Sequence, residues 1–216
     1  MAIPPELART VSLATGVPLP TIVDIDRRLA QAGLRTKGGR GLYAAQMTAL
    51  DAARLLTGVL ASPQANVAAG AVERYALTAP DRPRSSERLF AGAKLEDLAA
   101  LSDRTGFVDA LAALITSAGT GSLAALIAKG DSTPVIEVFA FTRAVRGRIR
   151  IAGLPNGCTA SVEYGPTPRT RAKSPKRGGS IASQESGDLE QSRRITERTI
   201  LPIAELLIKD TLNERS

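Results

Sequence analysis

The chain contains no histidine, and its one cysteine is Cys158. These two facts remove Ser-His-Asp and Cys-His nucleophilic catalysis, His-ligated metals, and zinc sites of the Cys/His type within one chain. Carboxylate, lysine, tyrosine and serine chemistry remains, but no cluster of those residues stands out. Asp24 and Asp26 come nearest to a paired-carboxylate site. A spacing of two on a helix directs them about 200° apart, which suits a cap-region acid and a solvated charge. The stretch "AGTGS" (118–122) has glycines like a phosphate loop, but lacks the Lys-Ser/Thr that would reach phosphate and magnesium. No enzymatic role, metal or cofactor is expected.

What the sequence does concentrate is cations beside glycine. Residues 34–43 read "LRTKGGRGLY", with three cations, three glycines and no acid. Gly38 and Gly39 allow a sharp turn that brings backbone N–H groups near phosphates. Arg35, Lys37 and Arg40 can neutralise phosphates and release counterions. Just upstream, Arg27 and Arg28 lie on a helix-patterned segment, from which an arginine can reach guanine in the major groove. The net charge of +7 and the isoelectric point of about 10.1 favour a polyanionic partner. Lys and Arg outnumber Asp and Glu by seven to four in 1–62 and by fourteen to nine in 135–216, but not in 63–134, where they stand seven to eight. Both ends are basic and the middle is not.

The elements that must position these residues follow from periodicity. Segment 4–17 opens with prolines, repeats Leu7, Val11 and Ala14 at helical spacing, and stops at Gly16. Segment 18–33 carries an Ile22, Ile25 and Leu29 stripe, closes at Gly33, and offers Thr21 and Asp24 as a box-like cap. The short Gly16–Pro20 turn between them makes a helix-turn-helix arrangement. Segment 47–62 is a third helix, with Thr48 as cap and Asp51 three residues on. Further helices are expected over 64–77, 94–105, 107–119 and 121–130, with a loop at 79–88. From Pro134 the pattern turns to strands: 135–145, 147–154 with Arg148 and Arg150 alternating with Ile149 and Ile151, and 158–165. Residues 166–188 have almost nothing to bury and read as a disordered basic loop. "RRITERTI" can add a strand, and a last helix opens at Pro202. The fold class expected is mainly α with a smaller C-terminal β region, α+β, divided as 1–62, 63–133 and 134–216.

Aromatics are only 3 % of residues, so the core must be built from Ala, Leu, Ile and Val. No apolar run reaches the roughly 18 to 20 residues of a membrane span, and "MAIPPELART" lacks the order of a signal peptide. A soluble cytoplasmic protein without a membrane partner is expected.

The order helix, turn, helix, basic glycine loop, helix resembles the MerR-type winged helix-turn-helix over residues 4–62. In that family a basic wing with glycine joins the recognition helix to the next helix and often ends near an aromatic residue. "KGGRGLY" stands in that place here, with Lys37, Arg40 and Tyr43. The resemblance implies double-stranded DNA as partner. Thr21, at the N-terminus of the recognition helix, then joins Arg27, Arg28, Arg35, Lys37, Gly38, Gly39, Arg40 and Tyr43 in the DNA-binding set. Arg146, Arg148 and Arg150 form a secondary basic patch. The function expected is a sequence-specific DNA-binding regulator of a bacterial or prophage kind, acting as a homodimer. The rival is a phage packaging protein of the small-terminase type, which would form a larger ring. A three-helix scaffold whose charges simply face water is the plain alternative.

Overall fold

The computed structural model describes residues 2–39, 45–81, 95–99, 105–129, 134–142, 145–154, 157, 159–166 and 191–213. Prolines open α1 (Pro4–Thr15), where a missing N–H has no intrahelical partner to lose. The Glu6 carboxylate accepts the Ile3 N–H at 3.1 Å. Gly16 ends α1 at φ 72° and donates its N–H to the Ser12 carbonyl at 2.9 Å, a left-handed stop that a Cβ would resist. Helix α2 (Leu19–Gln31) closes the same way, with Gly33 at φ 74°.

One expectation about α2 is corrected. The helix is entered from Pro18, and Thr21 already sits inside the first turn with its N–H on the Pro18 carbonyl. The Thr21–Asp24 box does not form, because prolines fit a first turn and Asp24 is drawn to two arginines downstream. Helix α3 (Ala49–Ala61) has the reciprocal cap read from sequence: Thr48 Oγ1 accepts the Asp51 N–H at 3.2 Å, and Asp51 accepts the Thr48 N–H at 3.0 Å.

A 3-10 turn (Ala65–Val67) leads to α4 (Ala68–Ala76), β1 (Thr78–Pro80), α5 (Glu96–Ala99), α6 (Phe107–Thr120) and α7 (Ser122–Ala128). Then come β2 (Val135–Phe141), β3 (Gly147–Ala152), β4 (Ala160–Pro166), β5 (Ser192–Thr196) and α8 (Glu197–Asn213). The fold is α+β. All strand pairings are antiparallel, in the order β1-β4-β3-β2-β5. Strand β1 falls where a loop was expected, and it is too short for any periodic signal. Helix α8 begins five residues before Pro202 rather than at it. Pro202 is exposed, and the Glu197 side chain accepts the Ile136 N–H at 3.1 Å, tying the helix start to the sheet.

The sheet has an inner and an outer face. Ile136, Val138, Ile149, Ile151, Val162 and Tyr164 point inward and are buried, with α3, α6 and α8 packed over them. Helix α3 is the centre of the molecule; nearly every residue from Asp51 to Ala61 is buried. The aromatic rings of Tyr75 and Tyr164 meet Phe107 edge-on at 5.3 and 5.6 Å. Among the described residues one hydrophobic cluster runs from Ala2 to Ala204. Across the expected bounds at 62 and 133, α1 packs on α8 and α3 on α6. Phe107–Ala128 is long and apolar enough to cross a membrane by length and composition, which a search for unbroken apolar runs does not detect. Here it is broken at Gly121 into α6 and α7, and α6 lines the core. The expected disordered loop lies, after Pro166, outside the described residues, as do Cys158, Arg40 and Tyr43.

Candidate nucleic-acid interface

The basic glycine loop is rooted by three side chains. Asp51 accepts four hydrogen bonds: from the Thr36 N–H (2.8 Å) and Oγ1 (2.9 Å), and from the Thr48 N–H (3.0 Å) and Oγ1 (2.8 Å). Arg54 donates to the Leu34 carbonyl at 2.9 Å. Arg35 turns inward to Asp26, with Nε 3.2 Å from Oδ1 but without hydrogen-bond geometry. Burial pushes the Asp51 carboxyl upward, but its four donors together outweigh that and hold it below the ordinary 3.8. Asp26 goes the other way: burial raises it, and the Arg35 charge only partly offsets the rise. Beyond this root Lys37, Gly38 and Gly39 are exposed. Among the described residues no strand lies between α2 and α3.

Helix α2 buries Ile22, Ile25 and Leu29 and turns Thr21, Val23, Arg27 and Gln31 outward. Asp24 sits between the two candidate arginines. It accepts from Arg27 Nη2 at 2.5 Å and from Arg28 Nε at 3.0 Å. Those hydrogen bonds, first from Arg27 and then from Arg28, hold the Asp24 carboxyl below its usual range. The structure thus brings Thr21, Arg27, Arg28, Lys37, Gly38 and Gly39 onto one helix and the loop that leaves it. It withdraws Arg35 into an ion pair with side-chain exposures of 18 and 14 %. The sequence signal for that withdrawal is Asp26, expected to face water and found paired with Arg35 instead.

The secondary patch lies elsewhere. Alternation does place Arg148 and Arg150 on one face, and it is the outer face of the sheet, turned away from the helices. Each arginine there is matched. Arg148 donates to Glu163 at 2.6 Å and Arg150 to Glu137 at 2.7 Å, while Arg146 lies 3.9 Å from Glu163. Arg194 on β5 also reaches Glu137, at 2.8 Å. Its place on this face was readable from the alternation in "RRIT", had that strand been registered against β2. Arg146 and Arg148 also stack over Phe141 and Phe139, at 5.3 and 5.9 Å from the ring centres. Among the described residues four arginines stand against two glutamates on this face, and Arg194 at its edge lines one cleft with Pro18 and Thr21 of the α2 start.

No group of three His, Cys, Asp or Glu side chains is arranged to hold a metal among the described residues. Comparison with protein-family models, characterised proteins and solved structures returned no match.

Proposed function

We propose that this chain is a sequence-specific DNA-binding protein, a transcriptional regulator that works as a homodimer. In this reading α1 and α2 form the helix-turn-helix, and the outward face of α2 enters the major groove. The loop at Lys37–Gly39, continuing into Arg40 and Tyr43, acts as a wing on the backbone. One observation carries the reading: the exposed cation–glycine segment leaves α2 directly and its root is fixed to α3, so helix and loop present a single preorganised surface. Fixing a recognition loop before binding removes an ordering cost from association. Lys37 has no ion-pair partner among the described residues, and phosphate neutralisation needs such an uncommitted cation.

The roles of the two arginines differ from a free basic patch. Asp24 orients both guanidinium groups and limits how far they can reach, which favours a directed base contact over loose phosphate attraction. Selection of bound duplexes from a random pool tests this. Wild-type protein should enrich a defined half-site. Arg28→Ala should lose about 1–3 kcal/mol on that site, a size fitting one bidentate base contact, with little change on scrambled duplex. Equal loss on both would reduce Arg28 to a phosphate contact.

A further inference from the structure

A cleft of about 490 Å³ opens between the α1–α2 turn, the C-terminal end of α3 and β5. Small-molecule sites commonly span roughly 300–1,000 Å³ and are mostly apolar with a few convergent polar groups. This one has that character. Val17, Ile25, Leu60 and Ile195 supply apolar wall, while Ser62 and Arg193 supply polar groups at one end.

Ser62 is 3 % exposed, and its Oγ, closed off from solvent, has no hydrogen-bond partner. Beside it, Arg193 Nη1 donates to the carbonyls of Val59 (2.8 Å) and Ser62 (2.7 Å). Those bonds fix the guanidinium at the cleft but leave Nε and Nη2 unengaged, and no carboxylate pairs with it among the described residues. The strand neighbour Arg194 is different, since Glu137 already answers its charge. Helix α2 also begins on this cleft, at Pro18, so its positive end adds to the same field.

We propose that the cleft binds a small carboxylate with an apolar body. The carboxylate takes the free donors of Arg193. The body lies on Val17, Ile25, Leu60 and Ile195. One wall is the turn that sets α1 against α2, so occupancy would modulate DNA binding; that consequence rests on the DNA reading, whereas the site itself does not.

The test uses the full-length chain without DNA. Phenylacetate, its neutral analogue phenylacetamide, and inorganic phosphate are titrated separately, and the backbone amides of Thr21, Ser62, Ala65 and Ile195 are followed by NMR. Phenylacetate should shift these signals saturably, and phenylacetamide should bind at least about tenfold more weakly, the loss of one charge-assisted contact. Arg193→Gln should weaken phenylacetate by about tenfold or more. Ala65→Leu, which fills the cleft and leaves the arginine in place, should abolish the shifts. No shift with phenylacetate overturns the proposal. So does equal binding of the amide, because charge is then not recognised, or equal binding of phosphate, because the apolar wall then contributes nothing.

Discussion

Asp51 shows how one side chain joins sequence to site. A carboxylate at the third position of a helix normally closes a cap, and Asp51 does so with Thr48. The same oxygens also hold Thr36, fifteen residues away in sequence, so the cap residue fixes the loop. Asp51→Asn should destabilise the protein by about 2–3 kcal/mol, as a carboxylate with charged hydrogen bonds becomes an amide facing donors. The pH dependence has a definite sign. The folded-state value lies below 3.8, so the stabilisation is present above that value and fades as the pH falls through the lowered one. Urea denaturation at about pH 6 and about pH 3 should show a smaller acid loss for Asp51→Asn than for wild type. An equal acid loss would place the acid sensitivity in other carboxylates, such as Glu137 or Asp97. The cap was legible in the sequence because it is local; the Thr36 contact was not, because nothing in the spacing announces a long-range acceptor.

Element boundaries divide along the same line. The glycine stops at 16 and 33, the Thr48 cap and the 135–165 strand run are local, and the structure has them. The short strand β1 and the early start of α8 depend on what lies alongside. β1 exists because Thr78–Pro80 pairs with Tyr164–Pro166, and α8 starts early because Glu197 meets β2. Packing between elements also sets glycines that no turn requires. A Cβ on Gly147 would stand 2.4 Å from Phe107 Cδ2, in a ring already held edge-on by Tyr75 and Tyr164. Gly147→Ala should therefore cost about 1–3 kcal/mol from overpacking. Phe107→Leu added to it should recover part of that loss, measured as a double-mutant cycle; strict additivity would show that the two residues do not press on one another.

At the scale of the molecule, the first three helices pack against elements from the rest of the chain. Helix α3 is the central helix, covered by α6 and the sheet, and α1 leans on α8. Charge and composition could point to a basic N-terminal surface, but composition cannot say whether 1–62 owns its core. The expectation that follows is that a fragment ending at Pro80 will lack a cooperative thermal transition by circular dichroism, because the face of α3 built for α6 would lie open to water. A sharp reversible melt of that fragment would restore an independent domain.

If α2 and the loop leaving it form a surface for duplex DNA, binding should depend steeply on salt. Binding of wild type and of the Lys37→Ala/Arg40→Ala variant to one duplex is measured across a range of monovalent salt. For wild type, log affinity should fall steeply with log salt. For the variant the slope should be smaller by about two, one counterion for each lost phosphate contact. A wild type with no salt-dependent duplex binding, or a variant with the wild-type slope, would rule that surface out.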